Sequence, residues 1–157
     1  MSYKDQFDRV RRYLARIENQ SRDRTEYEDD FWSFFQNCWH LAHWIENDPT
    51  LTASTKGNVW NDVKNSDTII ICRDLANRSK HVTFEPNYQT RMDAQVTQSQ
   101  IGIEAGGSLQ DENVSSARLS YGYTITLHKT GSHKDALRVA RKAIKDWAAL
   151  LKRNGLT

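Results

Sequence analysis

Long apolar runs are missing from this chain, and no stretch approaches the ~18 residues of a membrane span. The opening "MSYKDQFDRVRRY" is charged throughout and lacks the apolar centre of a signal peptide, so the expected location is cytoplasmic. Cysteine is scarce. Cys38 and Cys72 form no CxxC pair, which removes the usual zinc and redox signatures; each sits in a helical apolar pattern and reads as a small buried thiol in a reducing compartment. An excess of one charge is also missing: 22 Lys and Arg against 20 Asp and Glu leave a net +2, so bulk electrostatics do not announce a nucleic-acid binder. No Gly-rich phosphate loop occurs, because "EAGGS" is followed by neither the Lys nor a helical pattern. No GxSxG elbow, internal repeat or low-complexity tract is found. No motif calls for a cofactor or a metal.

At 157 residues the chain fits one domain, 1–157, large enough to bury a core. Helical periodicity dominates it. Phe7, Val10, Leu14 and Ile17 make one stripe of a helix from Tyr3 to Asn19. Thr25 and Glu28 have capping-box spacing and predict the start of a second helix, which Pro49 ends near Asn47. Tyr27, Phe31, Phe34, Cys38, Leu41 and Ile45 line one side of it, and Trp32, Phe35, Trp39 and Ala42 widen that side to nearly half the circumference. A helix this apolar should lie centrally. Its narrow polar side holds Ser33, Gln36, His40 and His43.

"NDPTLTASTKGN" reads as a connector, with a short helix near Val59, Trp60 and Val63. Ser66 or Asp67 then caps a helix running to about His81, with Ile69, Cys72, Leu75 and Ala76 inward. From there the period changes. "HVTFEP" and "AQVTQSQIGIE" read as strands, "AGGSLQDENVSS" as a loop, and "RLSYGYTITLH" as a strand with Leu119, Tyr121, Tyr123, Ile125 and Leu127 on one face. Ser132 is placed to cap a last helix with Leu137, Ala140, Ile144, Trp147 and Leu151 as its stripe. The expected fold is mainly α: a four-helix bundle-like domain with an antiparallel β-hairpin inserted over about 82–128.

Chemistry gathers on "ICRDLANRSKH" (71–81). At 100° per residue, Arg73, Asp74, Asn77, Lys80 and His81 occupy about a third of the helix circumference. Metal-independent RNA cleavage needs a proton acceptor, a proton donor and a cation for the phosphorane. His81 supplies proton transfer, Arg73 or Lys80 the charge, and Asp74 or Asn77 the orientation of the imidazole. The competing reading is a polar network that caps the helix and ties down the β-insert. His40 and His43 stand three apart on the preceding helix, too few for a zinc site, and can meet the 73–81 face across the bundle. The last helix carries Arg138, Arg141, Lys142, Lys145, Lys152 and Arg153 on one side, either a track for a phosphate backbone or a solvated face.

"FFQNCWHLAHWI" (34–45) and "CRDLANRSKH" (72–81) resemble a group of small uncharacterised bacterial and phage proteins. Those carry an NCxHLxxW helix, a later DLxNxxKH helix and a final helix with DAL…A…W. Here Asn37, Cys38, His40, Leu41 and Trp44 match the first, Asp74, Leu75, Asn77, Lys80 and His81 the second, and Asp135, Ala136, Leu137 and Trp147 the last. More distantly, the helical layout with Arg followed by His is similar to the HEPN superfamily, whose members include ribonucleases of toxin–antitoxin and antiphage systems as well as inactive binding modules. Their motif has four to six residues between Arg and His; here seven separate Arg73 from His81, and Arg78 to His81 is shorter than the motif. The resemblance implies a module of prokaryotic or phage defence type that binds or cleaves RNA without metal, and a homodimer. The other expectation is a non-catalytic protein-interaction or oligomerisation module, with Trp44 facing the partner and a structural 73–81 cluster.

Overall fold

A computed structural model describes residues 2–19, 23–80, 90–106 and 116–156. The expected strand "HVTFEP", His81 with it, and most of the loop at 105–116 lie outside the described residues.

Helix α1, Tyr3–Glu18, starts in a capping box in which Ser2 N–H donates to Asp5 Oδ2 at 2.6 Å while the Ser2 hydroxyl accepts from Asp5 N–H. It buries Phe7, Val10 and Ile17, with Leu14 at the margin. Gln6, also buried, donates from Nε2 to the Asn37 carbonyl at 3.1 Å and to Asn37 Oδ1 at 3.0 Å, locking α1 to the next helix. Helix α2, Arg24–Glu46, begins earlier than the Thr25 box predicts. Asp23 is the cap, accepting from Glu26 N–H at 2.9 Å, because "DRTE" offers the same acceptor-and-acid spacing two residues upstream and adds half a turn. Every residue of the α2 stripe is buried, along with Phe35 and Ala42, and α2 touches all four other helices.

The second half of the expected connector is helical. Helix α3 runs Ala53–Asn65, capped by Thr52, whose hydroxyl accepts from Thr55 N–H at 3.1 Å. Ser66 ends α3 and caps helix α4, Asp67–Arg78, so two helices share one residue as a corner. Helix α4 buries Ile69, Ile70, Ile71, Cys72, Leu75 and Ala76. The Cys38 and Cys72 thiols lie 3.5 Å apart, both fully buried, at the α2–α4 crossing, where small side chains let the backbones approach. Burial, then the neighbouring thiol, pushes the Cys72 pKa well up.

Strands β1, Ala94–Gly106, and β2, Ser116–Leu127, pair antiparallel with Ile101 opposite Tyr121 and a bulge between Val96 and Gln98. A strand after the hairpin, at Ser132–Asp135, was not expected. Ser132 does not cap a helix: β3, Ser132–Asp135, pairs with Thr124–Leu127 of β2, and Asp135 caps the last helix, accepting from Arg138 N–H at 2.8 Å. Gly131, at φ 68°, supplies the left-handed step that returns the chain alongside β2. The sheet order is β1-β2-β3. Its inner face carries Tyr123, Ile125 and Leu127, and Tyr123 meets Phe31 of α2 with ring centroids 4.4 Å apart.

Helix α5, Ala136–Arg153, closes the core with the fully buried Trp147. Its apolar face centres on Val139, Ala143, Trp147 and Leu150, so the expected Leu137 and Ile144 sit at the margin. The described residues thus form a mainly helical fold of five helices and a small three-stranded antiparallel sheet. No helix is long and apolar enough to cross a membrane.

Candidate functional site

The apolar sides of α2 and α4 meet at Cys38 and Cys72, which leaves their polar sides adjacent at one edge of the crossing. His40 and Lys80 come together there, as the helical spacing allowed. Lys80 Nζ donates to His40 Nε2 at 3.1 Å. One turn back, Gln36 Nε2 donates to Ser79 Oγ at 2.9 Å, and Ser79 in turn donates to the Ala76 carbonyl. The Arg73 guanidinium lies 5.6 Å from the Trp39 ring centroid, the geometry of a cation held over an indole face. His43 packs edge-on against Trp39 and Trp60, each 5.4 Å away, and its Nδ1 lies 3.3 Å from Glu46. Asn77 is half-buried on the same side of α4.

The contact with Lys80 defines the state of His40. An ammonium has no lone pair, so His40 must offer one, and its imidazole is neutral with the proton on Nδ1. Burial, then Lys80 and His43, holds the His40 pKa below its usual 6.5. A neutral imidazole beside a cation is therefore present at neutral pH.

Asp74 does not share this edge. A quarter turn from Arg73, it is carried over the rim of α4 toward β1, and is 1% exposed. Its Oδ2 accepts from the Thr90 hydroxyl at 2.6 Å and from Ala94 N–H at 2.9 Å, while Oδ1 is buried with no hydrogen-bond partner among the described residues. Burial raises its pKa, against the pull of the Ala94 and Thr90 hydrogen bonds. Arg78 works beside it, donating from Nε to the Ala94 carbonyl at 2.9 Å and pairing with Asp93. Asp93 takes a positive φ of 46°, and Thr90 Oγ accepts the amides of Met92 and Asp93. Asp74 and Arg78 thus dock the start of the sheet on α4. Motif spacing gave Arg78 no role; its signal was a cation at the end of a helix, with an acid at 93 where the next described segment begins its strand.

No family model, no curated protein and no solved structure matches this chain.

The basic side of α5 is less free than its sequence suggests. Arg141 pairs with Glu18 of α1 at 2.7 Å, Lys142 with Asp146 at 2.6 Å, and Arg153 with Asp62 of α3 at 3.0 Å. Arg138 and Lys145 are exposed and carry no ion pair among the described residues. A phosphate chain tracking α5 would have to displace acids from two other helices. Among the described residues, no three His, Cys, Asp or Glu side chains converge to hold a metal. The α2–α4 edge therefore offers the denser chemistry: two cations, a neutral imidazole and indole rings within about two turns of helix.

Proposed function

We propose that this chain is a HEPN-like module of prokaryotic or phage defence type that binds RNA at the α2–α4 edge and cleaves it there without a metal ion. The observation that carries the reading is the 3.1 Å contact between Lys80 Nζ and His40 Nε2. On binding, Lys80 turns to a non-bridging phosphate oxygen and frees His40 Nε2. His40 takes the proton of the 2′-hydroxyl, the 2′-oxygen attacks phosphorus, and the bond to the 5′-oxygen breaks. His81, next in the chain to Lys80, returns a proton to that leaving oxygen. Arg73 shares the phosphorane charge, and Trp39 holds the guanidinium in place. Asn77 orients the bound ribose.

The test is cleavage of end-labelled single-stranded RNA in excess chelator, with products checked for 2′,3′-cyclic phosphate. His40→Ala and His81→Ala should each lower the rate by about a hundred- to ten-thousand-fold while the helical circular dichroism signal is retained. Lys80→Ala should weaken binding and lower the slope of log affinity against log salt by about one. Absence of cleavage at micromolar protein would remove the enzyme reading.

A second reading has its own support. Asp74 and Arg78 spend their polar groups on the sheet, and three α5 cations are already paired. Both facts fit a non-catalytic interaction or oligomerisation module. That reading predicts no cleavage, an RNA affinity indifferent to Lys80→Ala, and strong destabilisation by Asp74→Ala.

A further inference from the structure

His40 and His43 also line a cavity of about 620 Å³ between the last turn of α2, the following 47–50 turn and the start of α1. We propose that it is a docking pocket for an arginine side chain of a protein partner. Trp44 is half-buried and supplies apolar lining; Asp5, Asp48, Asn47 and Pro49 line the same cavity. No Lys or Arg is among the described residues that line it. His40 is neutral toward Lys80, and Asp5 and Asp48 are the acidic groups among these lining residues.

Each carboxylate is oriented through one oxygen and leaves the other for a ligand. Asp48 Oδ1 accepts from Thr50 N–H at 2.9 Å and from the Thr50 hydroxyl at 2.6 Å, while its Oδ2 has no partner among the described residues. Asp5 Oδ2 accepts from Ser2 N–H and hydroxyl, while its Oδ1 likewise has none. These hydrogen bonds also hold both carboxyl pKa values below the usual range, so both groups are anionic at neutral pH.

An indole and two carboxylates lining one cavity suit a planar guanidinium. The guanidinium stacks on the ring and donates in its plane to a carboxylate, which a compact ammonium cannot do. A volume of 620 Å³ is within the range of small-ligand pockets and admits the flanking backbone of a peptide as well. The pocket shares His40 with the Lys80 edge, but Trp44, Asp5 and Asp48, which the proposal uses, have no part in the RNA reading.

The experiment is an NMR titration of the full chain, following the indole N–H signals, with acetyl-Gly-Arg-Gly-amide and with its citrulline counterpart. Citrulline keeps the shape and removes the charge. Trp44→Leu assigns the reporting signal and should abolish the response. The arginine peptide should saturate, and the citrulline peptide should bind at least about tenfold more weakly. Asp48→Asn keeps the Oδ1 acceptor for Thr50 and removes only the charge, so it should lower the affinity about tenfold with the fold intact. Equal binding of the two peptides, an affinity unchanged in Asp48→Asn, or no saturation by about 10 mM peptide overturns the proposal. So does a nucleoside monophosphate that saturates the Trp44 signal where the arginine peptide does not. Unchanged RNA binding by Asp48→Asn separates this test from that of the α2–α4 edge.

Discussion

Two residues of the 71–81 stretch and its neighbourhood decide between catalysis and support. Asp74 supports. Replacing it with Ala leaves the Thr90 hydroxyl and the Ala94 amide without their acceptor, at a cost of about 1–3 kcal/mol measurable by urea unfolding. Its pH dependence has a definite sign. The folded-state pKa is raised, so the native chain holds this proton more tightly than the unfolded chain does. The group's contribution is complete below the unfolded value near 3.9 and is lost as pH rises through the raised value. The stability of the wild type relative to Asp74→Asn should therefore fall across that window; a difference that stays flat would show a carboxyl with an ordinary pKa. His40 has the opposite sign. Its pKa is lowered, so its stabilising contribution is present above about 6.5 and is lost as pH falls through the depressed value. A proton titration followed on the ring signals should give a midpoint below 6.5, and Lys80→Ala should move it upward by removing an adjacent positive charge. An unmoved midpoint would mean that the Lys80 contact is absent in solution.

Among elements, helix interiors were legible and helix ends were not. The α2 stripe from Tyr27 to Ile45 is buried as its periodicity requires, because a period near 3.6 leaves one continuous side to hide. Ends are settled by which of several eligible polar residues reaches the orphan amides first. Asp23 outcompetes Thr25, and Asp135 replaces Ser132, because the backbone of Ser132–Asp135 is already engaged in the ladder with β2. The pair at the start of α5 makes this testable. Asp135→Ala should cost about 1 kcal/mol in thermal or urea unfolding, while Ser132→Ala should be nearly neutral. The reverse order would restore Ser132 as the cap. The charges of α5 teach the same lesson: they stand in a row along the sequence, and Glu18 and Asp62 reach them only once α1 and α3 are packed.

At the scale of the whole molecule, stability rests on one apolar cluster drawn from all five helices and the first two strands. Trp147 lies in it with no exposure, and α5 has no other ring at that level. Trp147→Ala should cost about 3–5 kcal/mol, a large part of the ~5–15 kcal/mol typical of a domain. The loss should show as a lower urea midpoint in one transition shared by far-ultraviolet circular dichroism and tryptophan fluorescence. Two separate transitions would mean that the sheet and the helices do not share a core. Tyr27 belongs to the same cluster at the sheet side, where burial, then Tyr123 and Asp135, pushes its phenol up to about 12.

Periodicity alone determined that this chain is mainly helical, which faces of α1, α2 and α4 turn inward, and that an antiparallel hairpin precedes the last helix. Those properties are local: they follow from side-chain spacing read against helix and strand geometry. The tertiary structure alone decided that His40 meets Lys80, that Asp74 turns away to hold the sheet, and that Trp44 lines one cavity with two aspartates. Each of these joins residues from different elements, and their distance depends on how buried surfaces choose to pack, which no spacing along a single helix encodes.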